Sequence, residues 1–248
     1  MKQTIAVVSG GTRGIGLGIA ESLLARGASV AITYKDNDAA AKSAKDRLEH
    51  LIGKEQQVLL LKGDAGDSDV VAEQHQEVNK ELGPVSVLVN CAGIMFKRSF
   101  EEISISDWDD TIRINLSSAF YWSSQVIPGM KAGGYGRIMN ISSVAARGVG
   151  VLGPHYAASK AGLLGLTRFA ARDLGKFGIT VNAIAPAFIE DAGIFVEWSE
   201  EQKAALKDKV LVPEIGNVAD VVRAFEYLLD SPFVTGVTLD VNGGVYMI

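Results

Sequence analysis

Seven short runs rich in valine, isoleucine, leucine and alanine recur along the 248-residue chain, at residues 5–9, 29–33, 57–62, 85–90, 136–141, 179–184 and 238–241. Helical patterning fills the gaps, at residues 17–26, 39–53, 70–82, 106–131, a stretch carrying Tyr156 and ending near 176, 199–209 and 218–229. Strands with no polar alternation are buried on both faces. That is the signature of a parallel sheet covered by helices on either side. Right-handed crossovers then make the chain an α/β protein with a doubly wound, seven-stranded, Rossmann-like sheet. No internal repeat, low-complexity stretch or linker interrupts the alternation, so residues 1–248 read as one domain.

Charge and cysteine content narrow the function. The formal net charge is −5 and no basic run occurs, which argues against a nucleic-acid partner. Cys91 is the single cysteine, so no internal disulfide can form and a reducing compartment is expected. Residues 1–8 read as the approach to a strand, not as a signal peptide, and no apolar segment approaches membrane-spanning length. The expectation is a soluble cytoplasmic protein with no membrane partner and no metal site.

The first strand runs into Ser9-Gly10-Gly11-Thr12-Arg13-Gly14-Ile15-Gly16, and a helix opens there. Glycines let the backbone turn tightly and approach a pyrophosphate closely. The helix start offers unpaired N–H groups and a favourable dipole to an anion. The spacing is G-x-x-x-G-x-G; without further context it also fits a turn that binds nothing.

Tyr156 and Lys160 lie four residues apart, one turn from each other on one helix face. A nearby ammonium favours phenolate, so the pairing predicts a lowered tyrosine pKa and a group able to exchange a proton with a carbonyl or alcohol oxygen. The same pair on a solvated face would be inert.

Taken together, Ser9-Gly10-x-x-x-Gly14-x-Gly16, Asn90-Cys91-Ala92-Gly93, Asn115, Ser143 and Tyr156-x-x-x-Lys160 resemble the short-chain dehydrogenases/reductases. The likeness runs from Thr4 to Val241-Asn242-Gly243-Gly244, and is nearest to the 3-oxoacyl-acyl-carrier-protein reductases. It implies an oxidoreductase moving hydride between a nicotinamide and a carbonyl or secondary alcohol. Tyr156 is then the general acid in reduction, and Lys160 lowers its pKa and holds the nicotinamide ribose. Ser143, preferred over its neighbour Ser142, holds the substrate oxygen, and Asn115, mid-helix, holds a water of the proton relay. For the cofactor the resemblance implies Gly10, Thr12, Arg13, Gly14, Ile15 and Gly16 in the first turn. It adds Asp64 and Ala65 at the adenine, Asn90, Ala92 and Gly93 along the ribose side, and Pro186 and Ile189 at the nicotinamide.

Coenzyme choice is read after the second strand. NAD binders place an acid there; this chain has Tyr34 and Lys35, with Arg13 as a second cation, which favours NADP(H). Asp36 and Asp38 keep NAD(H) as the alternative. After the sixth strand, Ala187 and Asp191 depart from the family's Pro-Gly and threonine, and a carboxylate beside the pyrophosphate would repel it. Those departures are the basis of a weaker alternative, an inactive cofactor-binding regulatory protein.

A substrate lid is expected at about residues 188–212, with Ile194, Phe195, Val196 and Trp198, faced by Ile94, Met95 and Phe96. Phe96, Phe188 and Phe195 are candidate substrate contacts beside Ser143. An apolar wall suits an acyl chain, in fatty acid synthesis, or another hydrophobic ketone; a sugar or quinone also stays open. A carrier-protein partner calls for basic residues at the mouth, where Lys131 and Lys176 are the nearest. The resemblance further implies a homotetramer, packed through the long helices, with the tail Val245–Ile248 reaching a neighbour or covering its own sheet edge.

Overall fold

The structure is a computed structural model, and it describes residues 4–148, 150 and 152–247. Seven strands form one parallel sheet: β1 (Ile5–Ser9), β2 (Ser29–Tyr34), β3 (Val58–Lys62), β4 (Val87–Asn90), β5 (Gly136–Ile141), β6 (Ile179–Pro186) and β7 (Thr238–Val241). Their spatial order is β3-β2-β1-β4-β5-β6-β7. The chain winds outward from β1 to β3, then crosses back to place β4 on the other side of β1. Connections leaving the carboxyl ends of β1 and β4 therefore diverge, and a crevice opens between them.

Side-chain alternation sends Ala6, Val8, Val30 and Ile32 to one face, against α1 (Gly14–Ala25), α2 (Asp38–Glu49) and α8 (Val218–Leu229). Ile5, Val7 and Ala31 face the other side, where α3 (Ser68–Glu81), α5 (Ser118–Gly133) and α6 (Pro154–Leu174) supply Val71, Trp122, Val126 and Leu174. Between β6 and α8 lie a short 3-10 turn, Gly193–Glu197, and α7 (Glu200–Lys207).

The helix expected over residues 106–131 is not continuous. It begins as α4 (Ile105–Ile112), passes through a π turn at Arg113–Ser117 and resumes as α5. Asn115 sits in that turn, its amide bonded both ways to Ile94: it accepts from the Ile94 N–H at 2.8 Å and donates to the Ile94 carbonyl at 2.9 Å. The wider turn accompanies a side chain committed to a neighbouring loop, a common setting for π geometry at functional sites.

No helix among the described residues is long and apolar enough to cross a membrane. The C-terminal tail turns back on its own chain, where the Leu211 N–H donates to the Gly243 carbonyl at 2.7 Å and Asn242 to the Tyr246 carbonyl at 2.7 Å. Ile248 and the Ile194 side chain lie outside the described residues.

Candidate active site

The crevice at the carboxyl ends of the strands is a cleft of about 460 Å³. Its floor at one end is the glycine turn. The Ser9 hydroxyl accepts from the Cys91 and Ala92 N–H groups at 3.0 and 3.1 Å, tying the ends of β1 and β4 together. A Cβ added at Gly16 would lie 2.4 Å from the Gly10 carbonyl oxygen, and one at Gly10 would lie 2.9 Å from the Ala92 Cα. Only glycine lets these loops approach so closely. Five other helices (α2, α3, α4, α7 and α8) begin with a side-chain cap, whereas α1 has none at Arg13 and no acid in its first turn. Its first turn, Gly14 to Gly16, lines the cleft without a side-chain cap, a setting that suits a pyrophosphate. The residues present thus fit a dinucleotide.

Gly10, Thr12, Arg13, Gly14, Ile15 and Gly16 line this end, followed by Tyr34, Lys35, Asp64 and Ala65. Arg13 is exposed and makes no ion pair among the described residues, while Lys35 lies 3.1 Å from Asp64. Tyr34 donates to Asp38 at 2.9 Å, and that bond raises the phenol's pKa. Asp36, Asn37 and Ala40 complete the rim. Among the described residues no cluster could hold a metal ion.

At the other end Ser143, Tyr156 and Lys160 share the cleft with Ala92, Gly93, Pro186 and Ile189. Ser142 is committed elsewhere: its hydroxyl donates to the Lys160 carbonyl at 2.9 Å. Lys160 donates to the Ile141 carbonyl at 2.8 Å, and its Nζ stands 5.6 Å from the centre of the Tyr156 ring. The lowered tyrosine pKa expected from the pairing is corrected here. Burial pushes the Tyr156 phenol up to about 12, only partly opposed by its hydrogen bond with Ser143, and burial pushes the Lys160 ammonium down to about 8. Desolvation of both groups outweighs their separation on one helix face. Burial likewise pushes the Cys91 thiol up to about 11, so it is not a thiolate at neutral pH.

Three expected site residues lie elsewhere. Asn90 does not line the cleft; its amide donates to the Asn140 side chain at 2.8 Å, and Asn140 in turn to Thr167 at 2.9 Å, in the layer beneath the sheet. As the last residue of β4 its side chain follows the strand's alternation into the core. Phe96 also turns away, its ring 4.7 Å from that of the fully buried His155, and Met95 faces the cleft instead. Asn115 is 2% exposed, and its adjacent residue Ile114 is the one that lines the wall. Asn115 reaches the catalytic end indirectly, by donating to Ser159 at 3.3 Å.

Asp191 does not point at the phosphate turn. Its carboxylate accepts from the Val218 N–H at 2.8 Å at the start of α8, and Glu190 N–H donates to the Gly216 carbonyl at 2.9 Å. The negative charge thus sits at a helix N-terminus, where it is favourable, and the expected repulsion does not arise. The residues on either side of Asp191 line the cleft: Phe188, Ala192 and Phe195 do so, with the Phe188 and Phe195 rings 5.8 Å apart. Lys131 and Lys176 are at the opposite end of the molecule, before β5 and β6, each stacked on Phe177. Helices that follow one strand and precede the next end at the strands' amino edge, so neither lysine reaches this cleft's mouth.

An uncapped helix at the switch point of a parallel sheet, beside a buried tyrosine and lysine and a half-buried serine, defines a dinucleotide-binding oxidoreductase. Residues 4–203 match the family described as short chain dehydrogenase. The chain is 36% identical over 250 residues, 98% of each chain, to "3-oxoacyl-[acyl-carrier-protein] reductase FabG" of Escherichia coli. It is 36% identical to "Nodulation protein G" of Azospirillum brasilense, over 99% of each chain, and 34% identical to the Staphylococcus epidermidis FabG reductase, over 98%. The protein belongs to the short-chain dehydrogenase family, and acts on a carbonyl or alcohol with a nicotinamide cofactor.

Proposed function

We propose that the protein is an NADPH-dependent reductase of 3-oxoacyl thioesters. The observation that carries this reading is a buried phenol at the end of an apolar cleft, hydrogen-bonded to a serine hydroxyl. With its pKa raised to about 12, Tyr156 keeps its proton across the neutral range. It is therefore poised to donate to a carbonyl oxygen. Ser143 and Tyr156 both present hydroxyls to the substrate's carbonyl oxygen. A dihydronicotinamide held beside Gly93, Pro186 and Ile189 would supply the hydride. Lys160, its Nζ 5.6 Å from the centre of the phenol ring, is the cation that stabilises the negative charge left on Tyr156. Asn115 and Ser159 brace this end, since Ser159 donates to the Tyr156 carbonyl at 2.8 Å.

Met95, Val144, Leu152, Phe188 and Phe195 make the substrate wall apolar, which supports an acyl chain. Arg13 and Lys35 favour the 2′-phosphate of NADP(H) over NAD(H). That Lys131 and Lys176 lie away from the mouth favours a second reading, a carbonyl substrate free of a carrier protein. A homotetramer is supported by exposed apolar side chains on two separate faces: Ile105, Trp108, Phe120 and Phe169 on α4 to α6, and Tyr227, Phe233 and Val237 along α8 and β7.

The test is NADPH consumption with acetoacetyl thioesters, free and carrier-bound, beside a panel of hydrophobic ketones. Tyr156→Phe is expected to lower kcat by about 10²–10⁴ with cofactor binding retained. Equal turnover of the two proteins would remove the tyrosine from the mechanism.

A further inference from the structure

Asp64 is held from three directions. Its Oδ1 accepts from the Gly66 N–H at 2.8 Å, while Oδ2 lies 3.0 Å from Arg113 Nη1 and 3.1 Å from Lys35 Nζ. The two cations differ in position. Lys35 lines the cleft and Arg113 does not; Arg113 comes from the π turn behind and uses its other nitrogen on Asp110 at 3.1 Å. Space for it exists because residue 66 is glycine: a Cβ there would lie 2.3 Å from Arg113 Nη1.

This arrangement bears on the transfer of Lys35 to a ligand. A carboxylate with one cationic partner retains it, because releasing the cation strands a partly buried charge. A carboxylate that keeps a planar guanidinium can give up an exposed ammonium at little cost. We propose that Arg113 is a positioning residue that sets coenzyme choice: it holds Asp64 from outside the cleft and so leaves Lys35 transferable to a phosphate monoester on the adenosine ribose. This rests on the NADP(H) reading above. The same salt link joins the adenosine end of the cleft to the π turn that carries Asn115.

The experiment is calorimetric titration with adenosine 2′,5′-bisphosphate and with 5′-AMP, which probe the adenosine end without turnover. The parent is expected to prefer the bisphosphate; if it binds both equally, the coenzyme reading falls and this inference with it. Arg113→Met is expected to lower the preference by about tenfold, because Asp64 then keeps Lys35. Adding Asp64→Asn to Arg113→Met frees Lys35 and is expected to restore most of it. Should Arg113→Met fail to fold, Gly66→Ala displaces the guanidinium and is expected to act in the same direction. A preference that stays at the parent's value when the guanidinium is removed or displaced, or that the second substitution does not recover, overturns the assignment while leaving the NADP(H) reading intact.

Discussion

Replacing Lys160 by methionine removes a charge that the fold holds in a buried place. Lys160 is 5% exposed, and burial lowers its pKa from 10.5 to about 8. At about 1.4 kcal/mol per tenfold change in the proton equilibrium, holding the ammonium costs the folded state about 3 kcal/mol below pH 8. The substitution relieves that cost but takes the donor from the Ile141 carbonyl, a loss of about 2 kcal/mol. At pH 7 the variant is therefore expected to be about 1 kcal/mol more stable than the parent, although inactive. The sign of the pH dependence follows from the lowered pKa. Between about 8 and 10.5 the unfolded chain binds the proton that the folded chain has lost, so the parent gains stability as pH rises through this window. The variant's advantage shrinks, reaches zero near about pH 9 and reverses to about −2 kcal/mol by pH 10.5. Tyr156, whose pKa is raised from 10.0, contributes to both proteins, and only toward the top of the range. Urea unfolding of both proteins at intervals from pH 7 to 10 measures the difference. A gap that does not change with pH, or a variant clearly less stable at pH 7, would show that the ammonium carries no burial cost.

Three further outcomes are expected. Asp191→Ala should cost about 1 kcal/mol in urea unfolding through loss of the bond to the Val218 N–H, and should leave NADPH affinity unchanged because the carboxylate faces α8. Gly16→Ala should abolish cofactor binding in a fluorescence titration, since its Cβ would meet the Gly10 carbonyl at 2.4 Å and neither backbone can yield. Asn115→Ala should lower stability by about 2–3 kcal/mol, because it strands the Ile94 N–H and carbonyl and the Ser159 hydroxyl contact; a protein as stable as the parent would show that the π turn does not depend on this amide.

What local pattern can carry was legible from residue order alone. Unbroken apolar runs specify strands buried on both sides, and the helical stretch 218–229 coincides with α8, because strand and helix periods repeat within a few residues. The glycine turn and the Tyr156–Lys160 spacing belong to the same class, one turn or less in extent. Only the folded chain decided where side chains at strand ends and in loops point. Asn90 turns to Asn140 rather than the cleft, Phe96 to His155, and Asp191 to Val218. Each partner is distant in the chain, and nothing near Asn90 or Phe96 announces it. The same holds for the pKa of Tyr156. Four-residue spacing predicts a charge effect, but burial depends on how β5, α6 and the lid close around the phenol, and that desolvation decides the sign.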